Sequence, residues 1–97
     1  MGVKFNREYS DIVTDLSKAI SEIPDSYAFF EMTEEDWSGL DADERSEVFR
    51  TLSDDVFYGL GSSPSIKVGS GQIEYDPKSH VIKVTAGAQV VQVVRLI

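Results

Sequence analysis

Apolar side chains recur at three- and four-residue steps through Phe5, Tyr9, Ile12, Val13, Leu16, Ala19, Ile20 and Ile23, the period of one helix face. The stripe predicts an amphipathic helix over about 7–22. Asn6 is placed to cap it, because its side-chain oxygen can accept an unpaired first-turn N–H, and Pro24 cannot continue the hydrogen-bond ladder. The opposite face, Glu8, Asp11, Asp15, Lys18 and Glu22, is mostly acidic and belongs in water.

Residues 26–32 lie in a run, DSYAFFEM, too short for periodicity to decide, and its aromatic content favours an extended segment. Thr33 followed by Asp36, and Asp41 followed by Glu44, have the spacing of capping boxes. They predict a short helix over 34–39 and a long one over 42–59. In the latter Val48, Phe49, Leu52, Val56, Phe57 and Leu60 repeat at helical spacing. Gly59 and Gly61 offer positive-φ termination, and Ser62-Ser63-Pro64 completes the stop.

Beyond Pro64 the period changes to two. Ile66 and Val68 flank Lys67, Ile73 and Tyr75 flank Glu74, and Ile82 and Val84 flank Lys83, which predicts strands over 65–68, 72–76 and 80–86. Gly69-Ser70-Gly71 reads as a bend or bulge. Asp76-Pro77-Lys78-Ser79 reads as a turn that joins its neighbours into an antiparallel hairpin. The last strand, 89–96, is β-branched and apolar on both sides, the pattern of a central strand covered on both faces. Helices first and strands second make an α+β, two-layer arrangement, with N-terminal helices packed on a mainly antiparallel sheet of three to four strands. The 97 residues suffice for one globular domain, 1–97.

Charge adds an asymmetry that the apolar pattern does not show. Residues 8–55 hold fifteen of the seventeen acids against only Lys18, Arg45 and Arg50, a net of −12, while the remainder is +4. Such a field bears on partners and solubility rather than on reaction chemistry, and it disfavours nucleic acid and anionic membranes. The absence of cysteine removes disulfides and thiolate chemistry and leans toward a reducing, cytoplasmic setting. No apolar run approaches the roughly 20 residues of a membrane helix, and Asn6 stands where a myristoylation signal needs Ser or Thr.

The densest acidity surrounds an aromatic residue: Glu31, Glu34, Glu35, Asp36, Asp41, Asp43, Glu44 and Glu47 lie around Trp37. Several of these acids suit first-turn capping, where the helix dipole favours negative charge, but eight exceed what two caps require. The expectation is a docking face for a protein partner with a basic surface, with Trp37 as an aromatic contact. Carboxylates imitating phosphates, so that the chain would inhibit a nucleic-acid-binding protein as a DNA mimic, form one alternative.

The other alternative is a small enzyme using His80, the only histidine, with a carboxylate and a loop serine from Ser62, Ser63, Ser65 or Ser70. No phosphate-binding loop or nucleophile-elbow motif accompanies those serines. The stretch from Asp41 starts like a calcium loop but has Ser46 where glycine is needed and Leu52 where the closing glutamate is needed, so no metal or cofactor is expected. Of the aromatics Tyr27, Phe29, Phe30, Trp37, Phe49, Phe57 and Tyr58, most belong to the core, with Trp37 and Tyr58 placed to stay partly exposed. The expected assembly is a monomer, or a homodimer through the C-terminal strand were that strand to lie at a sheet edge. The chain reads as a non-catalytic accessory or regulatory protein acting by protein–protein interaction.

Overall fold

The computed structural model describes residues 3–87 and 89–97. Helix α1 spans Tyr9–Ser21, a 3-10 turn Ser26–Phe30, α2 Glu34–Ser38 and α3 Ala42–Gly59. Four strands follow: β1 Ser65–Val68, β2 Gly71–Asp76, β3 Val81–Ala86 and β4 Gln89–Arg95. The sheet is antiparallel throughout in the order β1-β2-β3-β4. This is the α+β two-layer arrangement, helices on one face of the sheet and the other face open.

The core follows from the two periodicities. The α1 stripe Ile12, Leu16, Ala19, Ile20 and Ile23 meets Leu52, Val56, Phe57 and Leu60 of the α3 region, and both meet Val68, Ile73, Ile82, Val84, Val94 and Leu96 from the sheet. Tyr9 and Phe57 stack edge-to-face at 5.0 Å between ring centroids. Polar bonds stitch the helix pair together: Ser53, fully buried, donates to the Phe49 carbonyl at 2.8 Å and shares a 2.9 Å hydrogen bond with Ser17. The Tyr9 hydroxyl donates to Asp54 Oδ1 at 2.6 Å, and burial, followed by that carboxylate, pushes the Tyr9 phenol well above its ordinary value.

Local expectations are corrected in several places. Residues 26–32 are not extended. Asp25 accepts from the Ala28 N–H and Ala28 from the Glu31 N–H, and Glu31 ends the turn at φ 60°. Asn6 does not cap α1: its N–H and that of Arg7 donate to the Leu96 carbonyl, which commits this segment to the end of the sheet and starts the helix at Tyr9 behind an uncapped Glu8. Phe5, placed on the helix stripe by spacing, therefore precedes the helix and is 42% exposed.

Helix α3 ends at an αR Leu60 instead of a left-handed glycine, with the Ser62 and Ser63 N–H groups returning to the Gly59 carbonyl. Gly69-Ser70 is a two-residue hairpin turn, Val68 pairing with Gly71. His80 belongs to the Asp76–Val81 turn at φ 54° rather than to the strand after it.

The last strand is the largest correction. Among the described residues β4 pairs only with β3 and so lies at the sheet edge rather than at its centre. Its second apolar face is uncovered, because the helices occupy only one side: Val94 is buried while Val90 is 59% and Val93 44% exposed. An irregularity in the β3–β4 register at Val84/Thr85 interrupts the ladder. Arg7 Nη1 donates to the Arg95 carbonyl at 2.9 Å and Nη2 to Asp15 Oδ2 at 2.9 Å. A bulge and a charged cover are both devices that blunt a free edge.

Asp25 joins the two layers. Its Oδ1 accepts from both the Ser70 N–H and the Ser70 hydroxyl at 2.8 Å, and these bonds hold the carboxyl below its ordinary value. Since the folded state favours the ionised form, the stabilisation is present above the ordinary value of 3.8 and is lost as pH falls. Thermal unfolding midpoints should therefore drop more steeply for the wild type than for Asp25→Asn between about pH 5 and 2. Parallel pH profiles would remove the clamp from the account.

Candidate functional site

The acidic face is built from the end of the 3-10 turn, α2 and the first half of α3. Both capping boxes form. The Asp36 N–H donates to Thr33 Oγ1 at 3.1 Å and the Glu44 N–H to Asp41 Oδ1 at 2.8 Å, and the reciprocal bonds from the Thr33 and Asp41 N–H groups are also made. Three of the eight acids, Asp36, Asp41 and Glu44, thus serve the backbone at helix starts. Glu31, Glu34, Glu35, Asp43 and Glu47 have no such duty. All eight are exposed, and none forms an ion pair among the described residues.

Trp37 is half-buried and held on three sides. Its ring stacks on Tyr27 at 5.6 Å, meets Phe49 edge-on at 5.3 Å and carries the Arg45 guanidinium 5.0 Å from its centroid. Arg45 also donates from Nε and Nη2 to the Trp37 carbonyl at 3.3 and 3.1 Å, so one cation locks α2 onto α3. Tyr58 is 73% exposed but stands at the opposite end of α3, apart from the acids.

An apolar notch of about 430 Å³ adjoins this face, lined by Phe30, Met32, Val48, Thr51 and Glu47. Sequence reasoning missed it. Only the 3-10 turn, in place of an extended segment, sets Phe30 and Met32 against Val48, and the short aromatic run carries no period that signals such a turn.

The residues of the enzyme alternative are brought together in part. His80, Ser62 and Tyr75 line a groove of about 400 Å³ with Lys4, Leu60 and Pro77. The His80 Nδ1 is buried without a hydrogen-bond partner among the described residues. Ser63, Ser65 and Ser70 do not line that groove, and neither does a carboxylate. The nearest acid in the chain, Asp76, is turned to its own loop. Its Oδ1 accepts from the Ser79 and Lys78 N–H groups at 3.3 and 3.1 Å, and the Ser79 bond foremost holds its carboxyl below the ordinary value. No group of three or more His, Asp or Glu side chains converges as a metal site among the described residues, and no described helix is long and apolar enough to cross a membrane.

No protein-family model, curated protein or solved structure matches this chain.

Proposed function

We propose that the chain is a small non-catalytic accessory protein of the cytoplasm that docks on a basic protein surface through Glu31, Glu34, Glu35, Asp36, Trp37, Asp41, Asp43, Glu44 and Glu47. The observation that carries this reading is the run of eight exposed acids, none of them ion-paired among the described residues, one of which, Glu47, lines the Phe30/Met32/Val48 notch. Charge supplies steering and register, and a notch gives an apolar partner side chain a place to desolvate. A partner presenting Lys or Arg around one apolar residue fits both features. The docking unit is a monomer, because the β4 edge that a homodimer would extend is blunted by its bulge and by Arg7.

The variant Glu31→Gln/Glu34→Gln/Glu35→Gln/Glu47→Gln leaves both capping boxes intact but removes two first-turn acids of α2, so an unchanged circular-dichroism spectrum is required to separate docking from helix stability. In pull-downs from a cell extract, a protein retained by the wild type at low salt should be lost at about 0.5 M salt, where exposed charges are screened within a few ångström, and lost on the variant at low salt. Equal retention in all three arms would overturn the docking reading.

A further inference from the structure

The three cations of the acidic segment, Lys18 on α1 and Arg45 and Arg50 on α3, line one groove. It is a cleft of about 630 Å³ between α1 and the first half of α3. Its apolar surface comes from Val13, Ala42 and Phe49, and Ser17 and Ser46 are among its hydroxyl-bearing walls. The volume lies within the range of small-molecule sites, which are largely apolar with a few converging polar groups.

The segment 8–55, of net −12, has no other base, so all of its positive charges line this groove. Ion pairing within the fold does not explain it, since none of the three forms a salt bridge among the described residues. Arg45 is already fixed by its bonds to the Trp37 carbonyl and by the Trp37 ring, so ordering it again is not required on binding. Lys18 and Arg50 are exposed and can close on a ligand.

We infer that this groove binds a small organic anion, its sulfonate, phosphate or carboxylate group held by Lys18, Arg50 and Arg45 and its apolar body lying on Val13 and Phe49. The surrounding acids set the size of the ligand. A polyanion such as nucleic acid would extend beyond the three bases into the field of the acidic face, whereas a compact anion stays within them. This site shares no lining residue with the docking face, which it meets through the contacts of Arg45 and Phe49 with Trp37, and it stands whether or not that face has a partner.

The test is an amide NMR titration with two probes that share one ring, naphthalene sulfonate and the neutral naphthalene sulfonamide. The sulfonate should saturate shifts of residues 13–21 and 42–50 and bind about tenfold or more tighter than the sulfonamide, the increment of one desolvated charge contact. Lys18→Gln/Arg50→Gln should lose that advantage while its spectrum remains that of a folded chain. Lys67→Gln/Lys83→Gln, an equal charge change on the sheet, should retain it. Equal affinity for the two probes, sulfonate shifts centred outside the groove, or an advantage undiminished in Lys18→Gln/Arg50→Gln would each overturn the assignment.

Discussion

Replacing Gly69 with alanine is expected to destabilise the fold by about 3–4 kcal/mol and to lower its melting temperature by roughly 12–30 °C. Gly69 holds φ at +58° in the β1–β2 turn, a region that disfavours any Cβ. A Cβ there would stand 2.3 Å from the Asp25 carbonyl oxygen and 2.5 Å from its Oδ1, and backbone cannot retreat as a flexible side chain can. Relief requires the turn to move off Asp25, which also breaks the two bonds from Ser70. Gly87 provides the control. It has φ +63° with nothing among the described residues beyond its chain neighbours within 4 Å of a Cβ, so Gly87→Ala should meet only the conformational strain, about 1 kcal/mol. Calorimetric unfolding of the two variants decides the matter, because equal losses would mean that close approach to Asp25 is not what constrains the turn.

Leu16→Ala is expected to remove about 2–5 kcal/mol, the range for deleting a fully buried leucine side chain from a packed core. Leu16 is 0% exposed and belongs to the core cluster to which α1, α3 and the sheet all contribute, so its loss leaves a cavity in that core. Against a total stability of about 5–15 kcal/mol for a domain of this size, such a loss can leave a substantial unfolded population near physiological temperature. Tyr58→Ala removes a larger side chain that is 73% exposed and should change stability by less than about 1 kcal/mol. Denaturant titration of both separates burial from size, and comparable midpoints would contradict the core as described.

The sequence was most readable where a backbone need is met by a neighbour three or four residues away. Both capping boxes and the exact span of α3 follow from local spacing, because the groups that satisfy a helix start lie within the same turn. Strand limits at Ser65–Val68 followed in the same way from alternation. The misreadings share the opposite cause. Asn6 has the chemistry of a cap, but its segment is taken by Leu96, some ninety residues onward. The run 26–32 curls into a 3-10 turn, with Asp25 just before it held against the β1–β2 turn, a partner that no local pattern announces. β4 has the composition of a central strand because Val90 and Val93 are apolar on the side that no helix covers.

For the candidate sites the division is sharper. The eight acids from Glu31 to Glu47 are legible as a cluster because they lie within seventeen residues of one another in the chain and all stay exposed. By itself the sequence determined the period of the three helices and four strands, the capping boxes of α2 and α3, the two-layer class and the separation of an acidic helical half from a mildly basic strand half. Only the tertiary structure decided that β4 is an edge, that Phe30 and Met32 meet Val48 in a notch, and that Lys18, Arg45 and Arg50 line one groove. Caps and periodicity are satisfied within one or two turns of chain, so they are written locally. Those convergences depend on how α1, α3 and the strands pack together, and that is set by burying their apolar faces jointly.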